Sequence, residues 1–569
     1  IFIDINDKNL YNIHTAQCCK RGGLCMKRMT ALLLALLMLF ALAACSNNNP
    51  ESQQPSDGET QQDADEQQPA QNGEVKDTLV IALGADVQYL DPFLTSSMTD
   101  DCITYEIYEG LVRRATDDDE DKTPKPWVAT EWEISEDGME YTFKLRDDVV
   151  FHNGTPMTSD DVVFSMERAV ESPYMASVFG QYVDHAEAID DYTVKVIMKA
   201  PYAPFLSRLD VTFPIHSRAY WDECAEKAEA EGTTAEAVFL DHPIGTGPYM
   251  YESRELGASV SLKANPDHWS VTPAFENLEF KVITDPNTVA VAIETGEIDM
   301  AGGTASTIPA TSVPLMEENP DLNVTYVPSV TTNYIAFNTK NEPTNNALFR
   351  KAVAHAIDKQ FVIDVTENGN ATPAVAMTCD LVFGHSDKLT GYAYDVEQAK
   401  ELLAEAGYPN GEGIPTLTLK IMDGKPKSAA EVIQSNLREI GVDIEIVILE
   451  KNAFLSEVGD NKDFELAYLG ISCGEDAALF AEVYTSANLT GLNLAQLDDP
   501  VVDQLFMEGD VAADNDVRLQ KYEEVLLMVE EDCWYAPIYH PMNTFVTRSN
   551  IQMGPTHASK PFMFEVTLK

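Results

Sequence analysis

The sequence predicts an α/β fold that is divided into two or more lobes. In the second half of the chain, apolar runs and helical patterns follow one another as strand, helix, strand, helix, strand over residues 416–469. Short joints between such elements imply a parallel sheet covered on both faces. About 490 residues follow residue 77, which is too many for one core of ordinary size.

The individual elements are predicted from periodicity and from end signals. Residues 78–83 (TLVIAL) form a β-branched and aliphatic run typical of a strand. Thr158 and Asp161 have the spacing of a capping box, and Asp395 and Gly407 bracket a further helical pattern. On these grounds we expect helices at 96–114, 158–170, 394–407, 429–440 and 453–458, and strands at 78–83, 131–134, 141–145, 416–422, 442–449 and 464–469.

Residues 26–46 (MKRMTALLLALLMLFALAACS) have the pattern of a bacterial lipoprotein signal. The apolar run at 31–44 would span about 21 Å as a helix, short of the roughly 30 Å hydrocarbon core of a bilayer. We therefore expect a signal peptide at 26–44 and a lipidated Cys45 as the true first residue. This places the protein outside the cell, anchored by lipid to the outer face of the cell membrane.

The segments on either side of this signal are predicted to lie outside the folded body. Residues 1–25 contain no Met and carry Lys20-Arg21-Gly22-Gly23 near their end, so we interpret them as translated upstream sequence. Residues 45–77 are rich in Asn, Gln, Glu, Asp, Ser and Pro and cannot bury enough apolar surface to order. They are predicted to form a flexible tether.

The charge of the chain excludes two classes of partner. There are 38 Lys and Arg against 93 Asp and Glu, a formal charge of −55. Such an acidic surface repels nucleic acid phosphates and anionic lipid headgroups. We expect no nucleic acid partner and no membrane contact except through the lipid.

Cysteine and histidine usage gives no sign of a metal or cofactor. Five cysteines remain after Cys45, with no CxxC pair, and we interpret most of them as buried apolar residues: Cys102, Cys224, Cys379, Cys473 and Cys533. The histidines are scattered without ligand spacing. No phosphate-binding G-x-x-x-x-G-K-[ST] motif is present, so nothing in the sequence indicates that this chain hydrolyses ATP.

Several segments in a fixed order resemble the solute-binding proteins of peptide-type ABC importers, which include dipeptide-, oligopeptide- and nickel-binding members. The resemblance covers nearly all of residues 78–569. The segments that carry it are YEGLV (108–112), PWVATEWEISEDGMEYTFKLRDDVVFHNGTP (126–156), PIGTGPY (243–249), NPDHW (265–269), IETGEID (293–299), AFN (336–338) leading to FRKA (349–352), AIDK (356–359) and AEAGYP (404–409).

This resemblance implies a two-lobed periplasmic-binding-protein-like fold of the class II, or cluster C, type. The first lobe is expected at 78–328 plus 542–569, with an extra subdomain at about 122–238, and the second at 329–541. The implied partners are a peptide or peptide-like solute and a permease with a cytoplasmic ATPase. The protein is expected to be a monomer that is not an enzyme and has no catalytic residue.

Two loops match the ligand-facing segments of this family, and both follow predicted strands, where ligands of parallel sheets bind. The residues carried over are Gln88 and Tyr89 in the first loop and Gly470, Ile471, Ser472, Cys473, Glu475 and Asp476 in the second. Asn333 and Tyr334, near the expected crossover between the lobes, are added to them. Peptide-binding members have Gly-Trp-x-x-Asp at the second loop, and the Asp binds the free amine of the ligand. This chain departs from that pattern, and Glu475 or Asp476 would have to replace the acid.

Two alternatives stay open at this point. The same fold could bind a non-peptide solute such as a nickel chelate, an oligosaccharide, an opine or glutathione. The loop also matches the G-x-S-x-G motif of serine hydrolases at Ser472, with Asp499 and His540 downstream in the order of that enzyme class. A hydrolase would need Ser472 within about 3 Å of a histidine.

Overall fold

The computed structural model describes residues 77–95, 97–176, 178–472, 474 and 476–569. The upstream segment, the signal peptide, Cys45 and the tether up to residue 76 lie outside the described residues. The described strands are β1 (Thr78–Leu83), β2 (Val112–Arg113), β3 (Lys125–Pro126), β4 (Ala129–Ile134), β5 (Glu140–Leu145), β6 (Val183–Asp190), β7 (Thr193–Met198), β8 (Tyr249–Glu255), β9 (Ser259–Ala264), β10 (Asn277–Val282), β11 (Met300–Gly302), β12 (Leu322–Pro328), β13 (Thr331–Phe337), β14 (Ala371–Pro373), β15 (Leu417–Met422), β16 (Ile444–Leu449), β17 (Leu466–Ser472), β18 (Tyr535–Arg548), β19 (Ile551–Gln552), β20 (Thr556–His557), β21 (Lys560–Pro561) and β22 (Thr567–Leu568).

Helices of the α type cover the sheets. They are α1 (Met98–Ile107), α2 (Ser159–Glu171), α3 (Phe179–Tyr182), α4 (Arg218–Glu231), α5 (Ala235–Asp241), α6 (Pro286–Thr295), α7 (Val313–Glu317), α8 (Ala347–Ala356), α9 (Lys359–Glu367), α10 (Val396–Glu405), α11 (Lys427–Glu439), α12 (Lys451–Phe454), α13 (Ala481–Tyr484), α14 (Pro500–Val511) and α15 (Asn515–Glu531). Short 3-10 helices occur at Pro92–Leu94, Ala203–Leu209, Pro409–Gly411, Ala477–Phe480, Ser486–Asn488 and Met563–Glu565, and a π-helical turn at Leu455–Asp460.

The second lobe is built on the predicted parallel sheet. Strand β15 pairs in parallel with both β16 and β17, as the sequence predicts. Alternate residues of β17 enter two separate cores: Ala467 and Leu469 face one, and Leu466 and Tyr468 face the other. Both faces of the sheet are therefore covered.

The first lobe has a mixed sheet. Strand β1 pairs in parallel with β10 and β11, and β9 and β8 continue the sheet in antiparallel fashion beyond β10. A separate four-stranded antiparallel sheet, ordered β4, β5, β7, β6, belongs to the predicted subdomain. Its β4 and β5 form the hairpin expected around residues 131–145.

Strand β18 connects the two lobes. Its first part, up to Pro541, pairs with β13 and β14, and its second part, from Met542, pairs with β12 and β11. The chain also crosses between β12 and β13, so two neighbouring segments pass from one lobe to the other. The predicted lobe boundaries at 328/329 and 541/542 coincide with these crossings between the lobes. The assignment of residue ranges to each lobe stays a prediction.

Most predicted elements are confirmed with small shifts at their ends. Helix α1 is shorter than the predicted 96–114 and ends at Ile107. The chain is already extended at Tyr108, with φ −115° and ψ +158°, and Gly110 then packs so closely that a Cβ atom there would lie 2.0 Å from the carbonyl oxygen of Asp210. Strand β17 is longer than predicted and continues to Ser472, into the loop that was expected to bind ligand.

The end signals of the helices are also confirmed. The Asp161 carboxylate accepts a bond of 2.8 Å from Thr158 N–H at the start of α2, and Asp395 caps α10 through Gln398 N–H. Gly407 has a φ of +98°, which suits the predicted stop. No helix within residues 77–569 as described is long and apolar enough to span a bilayer. Cys224, Cys379 and Cys533 are buried, Cys102 is half-buried, and none of these four forms a disulfide.

Candidate functional site

The end of β17 presents an unpaired strand edge. On one side it pairs with β13 along its whole length, from Leu466 opposite Phe337 to Ser472 opposite Thr331. On the other side the last pair with β15 is Tyr468 opposite Ile421. Among the described strands, residues 469–472 therefore have a partner on one side only. Such an edge is a template for an added strand.

This edge lies beside the crossing segments that join the lobes. Thr331, opposite Ser472, is the first residue of β13 and follows the crossing directly. Because β17 runs towards this point, its carboxyl end is the end nearest the first lobe. This is the position at which ligands of open α/β sheets bind.

Asn333 and Gly470, both predicted to face ligand, lie opposite each other, and a third residue joins them; their contact with a ligand stays a prediction. Asn333 is 4% exposed and lies opposite Gly470. The Lys425 ammonium donates to Asn333 Oδ1 at 3.4 Å. A Cβ atom on Gly470 would lie 3.0 Å from both Asn333 Oδ1 and Lys425 Nζ, so the glycine leaves room for this approach.

Lys425 was missed by the sequence reasoning. It lies in the turn Asp423-Gly424-Lys425-Pro426, directly after β15. The rule that ligands bind beyond the carboxyl ends of parallel strands, which selected the loop after β17, applies equally to this turn. Burial lowers the pKa of Lys425, and the nearby Glu367 opposes that effect.

Tyr334 is placed in the core and not at the ligand-facing surface. Its side chain is 1% exposed, and its ring lies 5.5 Å from that of Tyr535 in an edge-to-face contact. Successive residues of a strand point to opposite faces, so Asn333 and Tyr334 cannot both point towards the same side. The expectation that Tyr334 faces ligand is therefore wrong. Ile471 and Ser472 are half-buried at the strand edge.

In the first lobe, Gln88 and Tyr89 lie in an exposed loop after β1. Asp100 fixes this loop. Its carboxylate accepts bonds from Gln88 N–H at 3.0 Å, from Tyr89 N–H at 3.1 Å and from the Thr95 hydroxyl at 2.8 Å. Within the part of the chain that the structure describes, the side chains of Gln88 and Tyr89 are exposed, and their contact with a ligand stays a prediction.

Asp476 is engaged by other protein groups. Its Oδ2 accepts a bond of 2.6 Å from Arg518, and its Oδ1 accepts one of 2.9 Å from Ala478 N–H. Both side chains are buried, and the Arg518 guanidinium also stacks over Phe383. To bind the amine of a ligand, as predicted, the Asp476 carboxylate would have to share or give up its ion pair with Arg518. Cys473 and Glu475 lie outside the described residues.

The hydrolase alternative is not supported by the contacts of its three residues. Asp499 accepts from Val501 N–H and caps α14. His540 Nδ1 contacts the Thr332 hydroxyl at 3.1 Å and the Thr331 carbonyl at 3.3 Å. Ser472 is the last residue of β17, with its backbone still in the strand. None of these contacts supports the interpretation as a serine hydrolase.

No metal site is formed by the described part of the chain, where no group of three or more His, Cys, Asp and Glu side chains could hold an ion. Two cavities lie elsewhere. One, of about 30 Å³, lies in the first lobe and is lined by Cys102, Glu106, Phe280 and Phe545, among others. The other, also of about 30 Å³, is lined by Arg113, Arg114, Asp210 and Leu381, among others.

Comparison with known proteins identifies the family. The family model described as "Bacterial extracellular solute-binding proteins, family 5 Middle" matches residues 123–488. The chain belongs to this family. Family 5 solute-binding proteins are extracytoplasmic, and the two-lobed architecture with a strand-edge site fits that class.

Individual relatives have a range of stated ligands. The chain is 27% identical over 514 residues to the di/tripeptide-binding protein 2 of Pseudomonas aeruginosa, covering 84% of this chain and 93% of the relative. It is 27% identical over 480 residues to the nickel-binding periplasmic protein of Escherichia coli, covering 80% and 88%. The periplasmic binding protein DppA of Helicobacter pylori, solved in complex with the peptide STSA, is 27% identical with a TM-score of 0.68, covering 86% and 98%.

We predict that Asp100→Ala lowers the free energy of unfolding by about 2–4 kcal/mol, because three donors lose a buried anionic acceptor. Chemical denaturation measures this value. Asp118→Ala is the control, since Asp118 is an exposed acid outside this loop. Equal stability of the two variants would show that Asp100 does not hold the loop.

The Asp476–Arg518 pair is expected to contribute mainly to stability. Asp476→Ala and Arg518→Met should each cost about 3–5 kcal/mol, because each leaves a buried charge without its partner. The double variant should cost less than the two single losses added together. The four proteins form a double-mutant cycle, in which chemical denaturation measures each free energy of unfolding. If the losses of the two single variants added up to that of the double variant, direct pairing of Asp476 with Arg518 would be contradicted.

Stability should also depend on Asp510, whose pKa burial raises to about 7. Tyr522 donates a bond of 2.9 Å to it. The folded state therefore binds a proton that the unfolded state releases between about pH 4 and pH 7, so stability should fall as the pH rises through this window. Asp510→Asn should flatten that slope in melting curves recorded from pH 5 to pH 8. If Asp510→Asn left the dependence of melting temperature on pH unchanged, a group other than Asp510 would be responsible for it.

Proposed function

We propose that this protein is the substrate-binding component of an ABC importer and captures a peptide or peptide-like solute between its two lobes. The observation that carries the proposal is the free edge of β17 at residues 469–472, beside the segments that cross between lobes. An extended peptide pairs with such an edge through its main chain, which gives affinity without reading side chains.

The rest of the transport cycle follows from this role. The loaded protein delivers its solute to a permease that a cytoplasmic ATPase drives, and no covalent chemistry takes place. Ligand contacts to both lobes favour the closed form, since a ligand shifts an equilibrium only by its differential affinity for the two states. We further propose that the protein acts as a monomer, anchored to the outer face of the membrane by lipid on Cys45.

Support for a peptide as the ligand comes from three directions. The ordered segments of the sequence match peptide-type importers, and relatives along most of the chain are named as di- and tripeptide-binding proteins. The strand edge supplies main-chain donors and acceptors where these are needed. Named nickel-binding relatives make a chelate or another non-peptide solute the main competing ligand class.

We expect native mass spectrometry of the protein, purified from cells grown in rich medium, to show a series of co-purifying peptide masses. A broad importer that binds main chain should retain many sequences. A single discrete non-peptide mass would instead assign the protein to a dedicated receptor for that solute, and the peptide proposal would be wrong.

Calorimetry provides the matched control. Protein stripped of ligand by unfolding and refolding is titrated with tri-alanine and, separately, with maltotriose, a solute of similar size that has no peptide groups. Binding of tri-alanine alone is expected. Binding of maltotriose alone would contradict main-chain recognition at the β17 edge.

A further inference from the structure

The second lobe touches the subdomain of the first lobe at α14. A Cβ atom on Gly138, in the turn between β4 and β5, would lie 3.9 Å from the Val511 carbonyl oxygen at the end of this helix. Helix α14 also packs against the 3-10 helix Ala203–Leu209. None of these elements contains the segments that cross between the lobes, so the two sides of this contact can part when the lobes separate.

Asp510, the residue before Val511, faces this contact. Across from it, Tyr182 and Tyr202 of the subdomain stack with their ring centroids 4.0 Å apart. Burial raises the pKa of both tyrosines, to about 12 for Tyr202, and the negative charge of Asp510 adds to this rise. The Asp510 carboxylate therefore lies beside two aromatic side chains that belong to the other lobe.

Within its own lobe, Asp510 ends a chain of bonds that begins in the loop after β17. Asp476 accepts a bond of 2.6 Å from Arg518, and Arg518 also donates to the Tyr522 hydroxyl at 3.4 Å. Tyr522 in turn donates to Asp510 at 2.9 Å. The loop beside the proposed site and the contact with the subdomain are thus joined through buried side chains.

This chain of bonds holds two acids and one cation. Arg518 forms its ion pair with Asp476, and Lys521, the other cation of α15, is paired with Glu508 at 2.7 Å. Among the described residues, no Lys, Arg or His forms an ion pair with Asp510 within 4.0 Å. The groups that face Asp510 from neighbouring elements are Tyr522 and Arg518 of α15, Asp476 of the loop after β17, and Tyr182 and Tyr202 of the subdomain. Arg208, on the 3-10 helix after Tyr202, lies near Tyr202 and Glu482.

An ionised Asp510 in this contact is a negative charge without a cation of its own, which is costly away from water. Burial raises the pKa of Asp510 to about 7, Tyr522 and Arg518 oppose this effect, and Asp476 adds to it. When the lobes separate, water reaches the carboxylate from the side of the tyrosines. We expect its pKa then to fall towards the ordinary value of about 4.

We propose that Asp510 is a proton-binding site that links solute capture to pH: the closing of the second lobe onto the subdomain takes up one proton at this carboxylate. The inference rests on the proposed function, because it assumes that the closed form holds the solute. The proton comes from water, and the neutral acid keeps its bond from Tyr522. Closure is therefore favoured at acidic pH, and solute affinity falls as the pH rises from about 4 to about 7.

The test counts protons during binding. Calorimetry at pH 6, in two buffers of different ionisation enthalpy, measures the protons taken up when the stripped full chain binds tri-alanine. The terminal amine of this peptide has a pKa of about 8 and stays protonated at pH 6, so it does not contribute. The native protein should take up about one proton per peptide bound, and its affinity should fall about tenfold between pH 5.5 and pH 7.5.

Variants then assign the proton to Asp510. Asp510→Asn, whose neutral amide still accepts from Tyr522, should bind tri-alanine without proton uptake and about tenfold more tightly than the native protein at pH 7.5. Tyr182→Ser removes part of the cover that the first lobe provides and should reduce the proton uptake while Asp510 is still present. Asp516→Asn is the matched control, since Asp516 is an exposed acid in the first turn of α15, and its proton uptake should equal that of the native protein.

The outcomes separate this inference from the proposed function. If the native protein and Asp510→Asn bind tri-alanine with the same proton uptake, or with none, the role of Asp510 is overturned and the peptide importer stands. If tri-alanine does not bind, the peptide proposal fails, and small-angle X-ray scattering of the stripped protein decides the role of Asp510. A native protein that is more compact at pH 5.5 than at pH 7.5, with Asp510→Asn equally compact at both, supports the role. The same change in both proteins, or no change in either, overturns it. Melting curves confirm that each variant is folded.

Discussion

The hydrogen-bonded pairing of strand β18 with both lobes fixes the position of the proposed site. One continuous strand is hydrogen-bonded to β13 and β14 in the second lobe and to β12 and β11 in the first. Between Pro541 and Met542, β18 exchanges its partners in the second lobe for those in the first. This point marks the line along which the lobes meet. Because β13 begins at this line and pairs with β17, the carboxyl end of β17 is held there too. The free edge owes its position to this pairing.

The charges around the edge follow from local packing. On one side of the β17 sheet, Arg518 compensates Asp476, and the pair is buried against Phe383. On the other side, Lys425 lies under Gly470 with its charge only partly balanced by Glu367. Beside the edge, the described residues thus include a base, Lys425, while the acid Asp476 is engaged by Arg518. Lobe architecture and ligand charge are set by different residues, so the fold alone does not identify the ligand.

The predicted elements agree with the structure apart from shifts at their ends, but the side-chain contacts around the proposed site could not be predicted from the sequence. Strand β1 and the parallel order of β15, β16 and β17 follow directly from apolar periodicity. Residue roles depended on contacts between segments far apart in the chain. The pairing of Asp476 with Arg518 spans 42 residues, and the bond from Lys425 to Asn333 spans 92. Tyr334 shows the same limit, because a resemblance locates a segment but strand alternation decides which of its residues face the ligand.

The central claim is that the solute pairs with the edge of β17. Hydrogen exchange measured by mass spectrometry, with and without a saturating mixture of short peptides, tests it most directly. Slower exchange is expected on binding in peptides that cover residues 466–472, with little change in the subdomain strands β6 and β7. Unchanged exchange at 466–472, with protection confined to other segments of the bound protein, would contradict it.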